Sequence, residues 1–99
     1  GINFRIQLCC GLLACILGLL LCLSASEWAV ILICILLVLS LEMINTAIEQ
    51  LCNMIHPEIH PAIKIIKDVA AGAVLVCSVM TAIIGAIIFI PKILSIGYL

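Results

Sequence analysis

The feature that most constrains this chain is Ile6–Leu23, a run of 18 residues without a single charge. At about 1.5 Å per helical residue such a run nearly matches the ~30 Å hydrocarbon core of a bilayer. Two further apolar stretches follow, so the same solvent must suit the whole sequence. Hydrophobic residues make up 68% of the chain and charged ones 9%, against about 45–50% and 25% in soluble domains. Nine ionisable side chains (Arg5, Glu27, Glu42, Glu49, Glu58, Lys64, Lys67, Asp68 and Lys92) cannot build a soluble surface. A formal net charge of −1 leaves no basic patch to neutralise phosphates, which excludes nucleic acid as a partner.

These runs predict an all-α fold, an integral membrane three-helix bundle in one domain over 1–99, with spans near 6–23, 28–55 and 63–90. Ser24-Ala25-Ser26-Glu27 reads as a short polar break, after which Trp28 sits at headgroup level. His56-Pro57-Glu58-Ile59-His60-Pro61 reads as a loop, because each proline pushes its predecessor out of the helical region. Pro91 is expected to stop the third helix. The first span exceeds the usual 7–15 apolar residues of a signal peptide, and two more spans follow it. Arg5, Lys64 and Lys67 fall on one side and Lys92 on the other, so the positive-inside rule places the N-terminus and the second loop in the cytoplasm.

Seven cysteines carry no CxxC pair and lie mostly inside apolar runs, which suits neither a disulfide scaffold nor zinc. Gly11, Cys15, Gly18 and Cys22 line one helix face with small side chains, a close-packing stripe. Cys9-Cys10 has the position of an acylation site but only a weak signal for one. His56, Glu58 and His60 have a spacing that hints at metal, yet the prolines break any helix that would align them.

Glu42, Asn45, Glu49 and Asn53 recur on one arc of the second helix, with Thr46 and His56 beside them. The opposite face (Met43, Ile44, Ala47, Ile48, Leu51) is apolar. A carboxylate at membrane depth costs at least ~2.5–3.5 kcal/mol on insertion scales, so it marks a functional site by default. From Trp28 to Glu42 is about 21 Å of helix, which puts Glu42 below the interface and Glu49 about 10 Å farther along, near it. Lys64, Lys67 and Asp68 open the third helix as i, i+3, i+4 neighbours, with small residues continuing the row. The predicted result is one pocket holding a deep acid, a shallow acid, an amide, two lysines and an aspartate.

A carboxyl in low dielectric suits general-base work. A shallow carboxylate with an amide suits Mg²⁺, and a lysine suits phosphate. Together they fit phosphoryl transfer from a nucleotide to a lipid hydroxyl. Such seams also hold oligomers together or line proton paths, and spacing alone leaves those readings open. No Walker A or kinase glycine-rich loop is present, which excludes a soluble kinase fold.

The run Glu42-Met43-Ile44-Asn45-Thr46-Ala47-Ile48-Glu49 resembles the Glu-x-x-Asn-x-x-x-Glu helix of the prokaryotic diacylglycerol kinase/undecaprenol kinase family. His60-Pro61, Lys64, Lys67-Asp68 and Ala70-Ala71-Gly72-Ala73-Val74-Leu75 are similar to its second conserved segment, and Asn3-Phe4-Arg5-Ile6 to the segment entering the first span. The wording of the His-Pro loop and of Asn45-Thr46-Ala47-Ile48-Glu49 resembles the undecaprenol kinase branch more closely. The resemblance implies an ATP-dependent lipid kinase of the inner (cytoplasmic) membrane, a multi-pass homotrimer with sites between subunits and a lipid alcohol as substrate. It implies Glu42 as base on the lipid hydroxyl, Asn45 as a positioning group, Glu49 as a Mg²⁺ ligand, and Lys67, Asp68 and position 53 as nucleotide contacts. Three positions depart from the family pattern. Asn53 stands where the family has Asp, Gly1 where it has a metal-binding Glu, and Gln7 where His is frequent. The amphipathic surface helix that precedes the first span in the family is also expected to be missing. These departures lead to an expectation of reduced Mg²⁺ and ATP affinity, with an impaired member or a non-catalytic scaffold as the alternative reading.

Overall fold

The computed structural model describes residues 2–55 and 60–97 and contains α1 (Ile2–Leu20), α2 (Ala25–Ile55) and α3 (Pro61–Gly97). All three helices are long and apolar enough to cross a membrane. They form a rod of 59 × 20 × 17 Å. The 31 residues of α2 extend about 46 Å at 1.5 Å per residue, well beyond a ~30 Å hydrocarbon layer.

Most of the core is a stripe on α2, joined by Leu23 from the α1–α2 connection. Ile31, Cys34, Val38, Glu42, Asn45 and Cys52 are buried and repeat at helical spacing. Cys34 and Cys52 thus pack as small apolar side chains. Both neighbours lie against α2, while α1 and α3 barely touch each other. Among the described residues α3 buries none, and its outer face is a row of exposed aliphatic side chains such as Val69, Val76, Ile83 and Ile87. Facing outward with apolar side chains is what a lipid solvent favours.

α1 reaches α2 through two buried glycines. A Cβ on Gly11 would lie 3.2 Å from Ile35 Cγ2, and one on Gly18 would lie 2.9 Å from Trp28 Cη2. The small-residue stripe therefore packs as expected at these positions. It ends at Gly18, because Cys22 is already outside the helix with φ 56°. Leu23 N donates to Gly18 O at 3.2 Å, which closes the helix in a Schellman-type turn with Cys22 in the left-handed position.

The polar break after α1 is a helix start. Glu27 N donates to Ser24 Oγ at 3.2 Å and Ser24 N donates to Glu27 Oε1 at 2.9 Å, a reciprocal capping box. This satisfies two orphan donors and lets α2 begin at Ala25. At the other long helix, Pro61 takes the first position, where its missing N–H costs nothing. His60 caps it, with Ala62 N donating to His60 Nδ1 at 3.1 Å. His56 and Glu58 lie outside the described residues.

Pro91 does not stop α3, which continues to Gly97. Proline's fixed φ is itself helical, and the loss is one backbone hydrogen bond and some steric crowding. The last turns are also held from outside: Lys92 Nζ lies 3.1 Å from Glu27 Oε1, an ion pair joining α3 to the capping box of α2.

Candidate active site

Glu42 and Asn45 occupy consecutive turns of the buried stripe and are only 5% and 8% exposed. Burial of a carboxyl and an amide in an apolar bundle is costly unless the surroundings use them. Asn45 Nδ2 donates to Glu49 Oε1 at 3.4 Å, while Asn45 Oδ1 is buried without a hydrogen-bond partner. An orphaned buried oxygen of this kind calls for a ligand or ion as its partner. Thr46 is engaged with the backbone, donating from Oγ1 to Glu42 O at 3.0 Å.

Two clefts meet at Glu42. One, of about 250 Å³, is lined by Ile2, Asn3, Phe4, Glu42, Asn45, Thr46, Glu49 and Gln50, and gathers the polar face of α2 against the start of α1. The other, of about 260 Å³, lies toward α3 and is lined by Asn3, Ile6, Gln7, Glu42, Ala71, Val74, Leu75 and Ser78. The second sets the polar Asn3, Gln7, Glu42 and Ser78 against the aliphatic Ile6, Ala71, Val74 and Leu75. Asn3, at the start of α1, contributes to both.

The basic residues lie farther out. Lys67 Nζ donates to Asn53 Oδ1 at 2.6 Å, which joins the outer end of the α2 seam to α3. Lys64 and Asp68 form a 2.7 Å pair whose side chains are 68% and 63% exposed. Neither lines the clefts at Glu42. Of the residues expected to form one seam, Glu42, Asn45 and Glu49 share a cleft and Asn53 meets Lys67 farther out, and the pocket walls differ from those expected. They come from the start of α1 and from Ala71, Val74, Leu75 and Ser78 of α3, not from its lysine-bearing turn. Asn3, Gln7 and Ser78 were missed as wall residues. Their signal was available as polar residues i, i+4 apart in an apolar helix, and one serine deep in a span.

Comparison with known proteins supplies the context. The family model for prokaryotic diacylglycerol kinase matches residues 2–89. The undecaprenol kinase of Bacillus subtilis is 44% identical over 90 residues, covering 91% of this chain and 72% of that protein. The diacylglycerol kinase of a Synechocystis species is 37% identical over 94 residues, covering 94% of this chain and 54% of that protein. No solved structure matches the chain. A Glu-x-x-Asn-x-x-x-Glu seam on the central helix with Glu42 and Asn45 buried, and a match along nearly the whole chain, lead to one conclusion: the chain belongs to the prokaryotic diacylglycerol kinase family.

Proposed function

We propose that this chain is an integral membrane lipid kinase that moves the γ-phosphate of ATP to the hydroxyl of a lipid alcohol, undecaprenol or diacylglycerol. The observation that carries the reading is the position of Glu42 as the shared wall of two clefts, one of them with an aliphatic wall on α3 and the other along the polar face of α2. The cleft toward α3, with Ala71, Val74 and Leu75 on its α3 wall, suits the lipid, and the polar cleft along Asn45 and Glu49 suits the phosphates. Names given to the relatives, undecaprenol kinase and diacylglycerol kinase, support the same pair of substrates.

In this reading Glu42 accepts the proton of the lipid hydroxyl as that oxygen bonds to the γ-phosphorus. The bond from phosphorus to the β–γ bridging oxygen breaks, and its electron pair leaves with ADP. Glu42 then returns its proton to water. Burial keeps the carboxylate dry and fixed, which favours general-base catalysis. Asn45 positions the reacting groups, and Lys67 and Asp68 contact the nucleotide, with Asn53 orienting Lys67 through its 2.6 Å bond.

The donor set fits Mg²⁺, which takes one or two carboxylates together with phosphate oxygens. Glu49 would supply the carboxylate, and the unpartnered Asn45 Oδ1 is an available neutral oxygen beside it. When bound, the ion neutralises charge on the transferring phosphate. The remaining catalytic contribution is positioning by the chain's own side chains.

Arg5, Lys64 and Lys67 gather at the end of the bundle that carries Glu49, whereas Lys92 at the opposite end is neutralised by Glu27. That asymmetry supports an inner (cytoplasmic) membrane location with the N-terminus and the α2–α3 connection in the cytoplasm. A homotrimer is the assembly we infer, since three helices leave one side of the polar seam open to lipid.

The test is γ-phosphate transfer in detergent to undecaprenol and to a diacylglycerol, by the parent chain and by Glu42→Gln. The parent should phosphorylate at least one lipid, and Glu42→Gln should lose about 10²–10⁴-fold in rate. No lipid phosphate from either substrate would end the kinase reading, and activity retained by Glu42→Gln would end the base assignment.

A further inference from the structure

Two residues border both clefts at the site, Glu42 of α2 and Asn3 in the first turn of α1. Asn45, Thr46 and Gln50 line only the polar cleft of the two, and Gln7 and Ser78 only the one toward α3. Transfer carries a phosphoryl group from the first cleft to an oxygen in the second, so a side chain that touches the group throughout must border both. That group is anionic, and the walls add the carboxylates of Glu42 and Glu49. Among the described lining residues of these clefts there is no lysine or arginine. Lys67 lies outside them, bonded to Asn53. Hydrogen-bond donors at the junction must therefore come from neutral side chains, and an asparagine amide carries two N–H groups. Asn3 and Glu42 share no hydrogen bond, so the amide is not spent on the base.

We propose that Asn3 is a catalytic residue of the transfer step, its side-chain amide donating to the oxygens of the γ-phosphoryl group as that group passes from ADP to the lipid alcohol. The inference rests on the lipid-kinase reading above. The lipid oxygen bonds to phosphorus, the bond to the β–γ bridging oxygen breaks with its electron pair leaving on ADP, and the hydroxyl proton goes to Glu42. Asn3 gains and loses no proton. It holds the charge that spreads over the equatorial phosphoryl oxygens in the transition state. A neutral donor suits this junction better than a cation, because a lysine beside Glu42 would pair with the carboxylate and weaken it as a base. The amide contacts the phosphoryl group, which is common to every lipid acceptor, so its removal slows transfer to all of them alike.

The experiment measures the single-turnover rate of γ-phosphate transfer by the full chain in detergent, to a polyprenol and to a diacylglycerol, at saturating MgATP. Asn3→Leu keeps much of the side chain's shape without its donors and should slow transfer about 10²–10³-fold on each lipid that the parent phosphorylates. Affinity for a non-hydrolysable ATP analogue and the KM for lipid should stay within about twofold of the parent, since the contact is made in the transition state. Asn3→Gln restores an amide and should recover at least about tenfold of the lost rate. Asn3 is exposed, so the unfolding midpoint should be the parent's in both variants. A parental rate in Asn3→Leu overturns the proposal, and so does Asn3→Gln as slow as Asn3→Leu. A lowered midpoint marks a structural role, and a raised KM with the rate held marks a binding role; either overturns it. If the folded parent phosphorylates neither lipid, the kinase reading falls and the proposal falls with it. Transfer by the parent with the rate unmoved in Asn3→Leu overturns the proposal alone.

Discussion

Adding one methyl group to Gly18 and to Gly85 should have opposite effects on stability. In a helix interior, Gly→Ala by itself favours folding by about 0.5–1 kcal/mol. At Gly85 a Cβ meets nothing within 4 Å, so the full gain should appear. At Gly18 the Cβ would lie 2.9 and 3.1 Å from two atoms of the Trp28 ring and 3.0 Å from Leu23 Cδ1. Neither neighbour can yield easily, since Leu23 belongs to the helix-ending turn and Trp28 to the first turns of α2, after its capping box. Overpacking of that kind costs about 1–3 kcal/mol, leaving Gly18→Ala less stable than the parent by about 1–2 kcal/mol. The assay is reversible unfolding in mixed micelles, followed by helical circular dichroism and by tryptophan emission. Trp28 is the single tryptophan of the chain, so its emission reports directly on the contact at Gly18. A Trp28→Leu background should reduce the Gly18→Ala penalty, as coupled neighbours do, and leave the share due to Leu23. Gly18→Ala with parental stability and parental Trp28 emission would refute the packing argument, as would a penalty undiminished in the Trp28→Leu background.

Three further outcomes are expected. Cys22 holds φ 56° at the end of α1, where a Cβ is strained, so Cys22→Gly should stabilise the bundle by about 1 kcal/mol in the same unfolding assay. Ser24→Ala removes the oxygen that accepts from Glu27 N and should cost about 1 kcal/mol, with amide exchange rising first in the opening turn of α2. Asn53→Asp replaces a neutral acceptor under Lys67 by a charged one, 2.6 Å from the ammonium in the parent, and should lower the KM for MgATP by about two- to fivefold. An unchanged KM would remove this pair from nucleotide binding.

Some of the local structure was legible in the sequence and some was not. Ser24 and Glu27 have the S-x-x-E spacing of a capping box, which is visible without coordinates and pushes the start of α2 back to Ala25. The end of α1 was not legible, because its left-handed position is taken by Cys22 where glycine is the usual occupant. Pro91 misled for a related reason: a proline ends a helix only when nothing else sustains it, and here Lys92 is held by Glu27 from the far end of α2. At the site, the helical spacing puts Glu42, Asn45 and Glu49 along one cleft, whereas Asn53 turns to Lys67 outside it. The lysine turn of α3 was expected to share a pocket with Glu42, but Lys64 and Asp68 satisfy each other on the surface instead.

By itself the sequence determined the solvent, the number of spans and the helix face that gathers the polar residues. Those follow from desolvation costs and helical period, which are sums over neighbours in the chain. Only the tertiary structure decided what the carboxyl of Glu42 faces. Its two clefts depend on Asn3 and Gln7 of α1 and on Ser78 of α3, and the Gln7–Ser78 bond closes across 71 positions. No local pattern encodes which flank of a helix its neighbours leave open. That is settled by packing, here by two glycines drawing α1 onto α2 while α3 takes the adjoining flank.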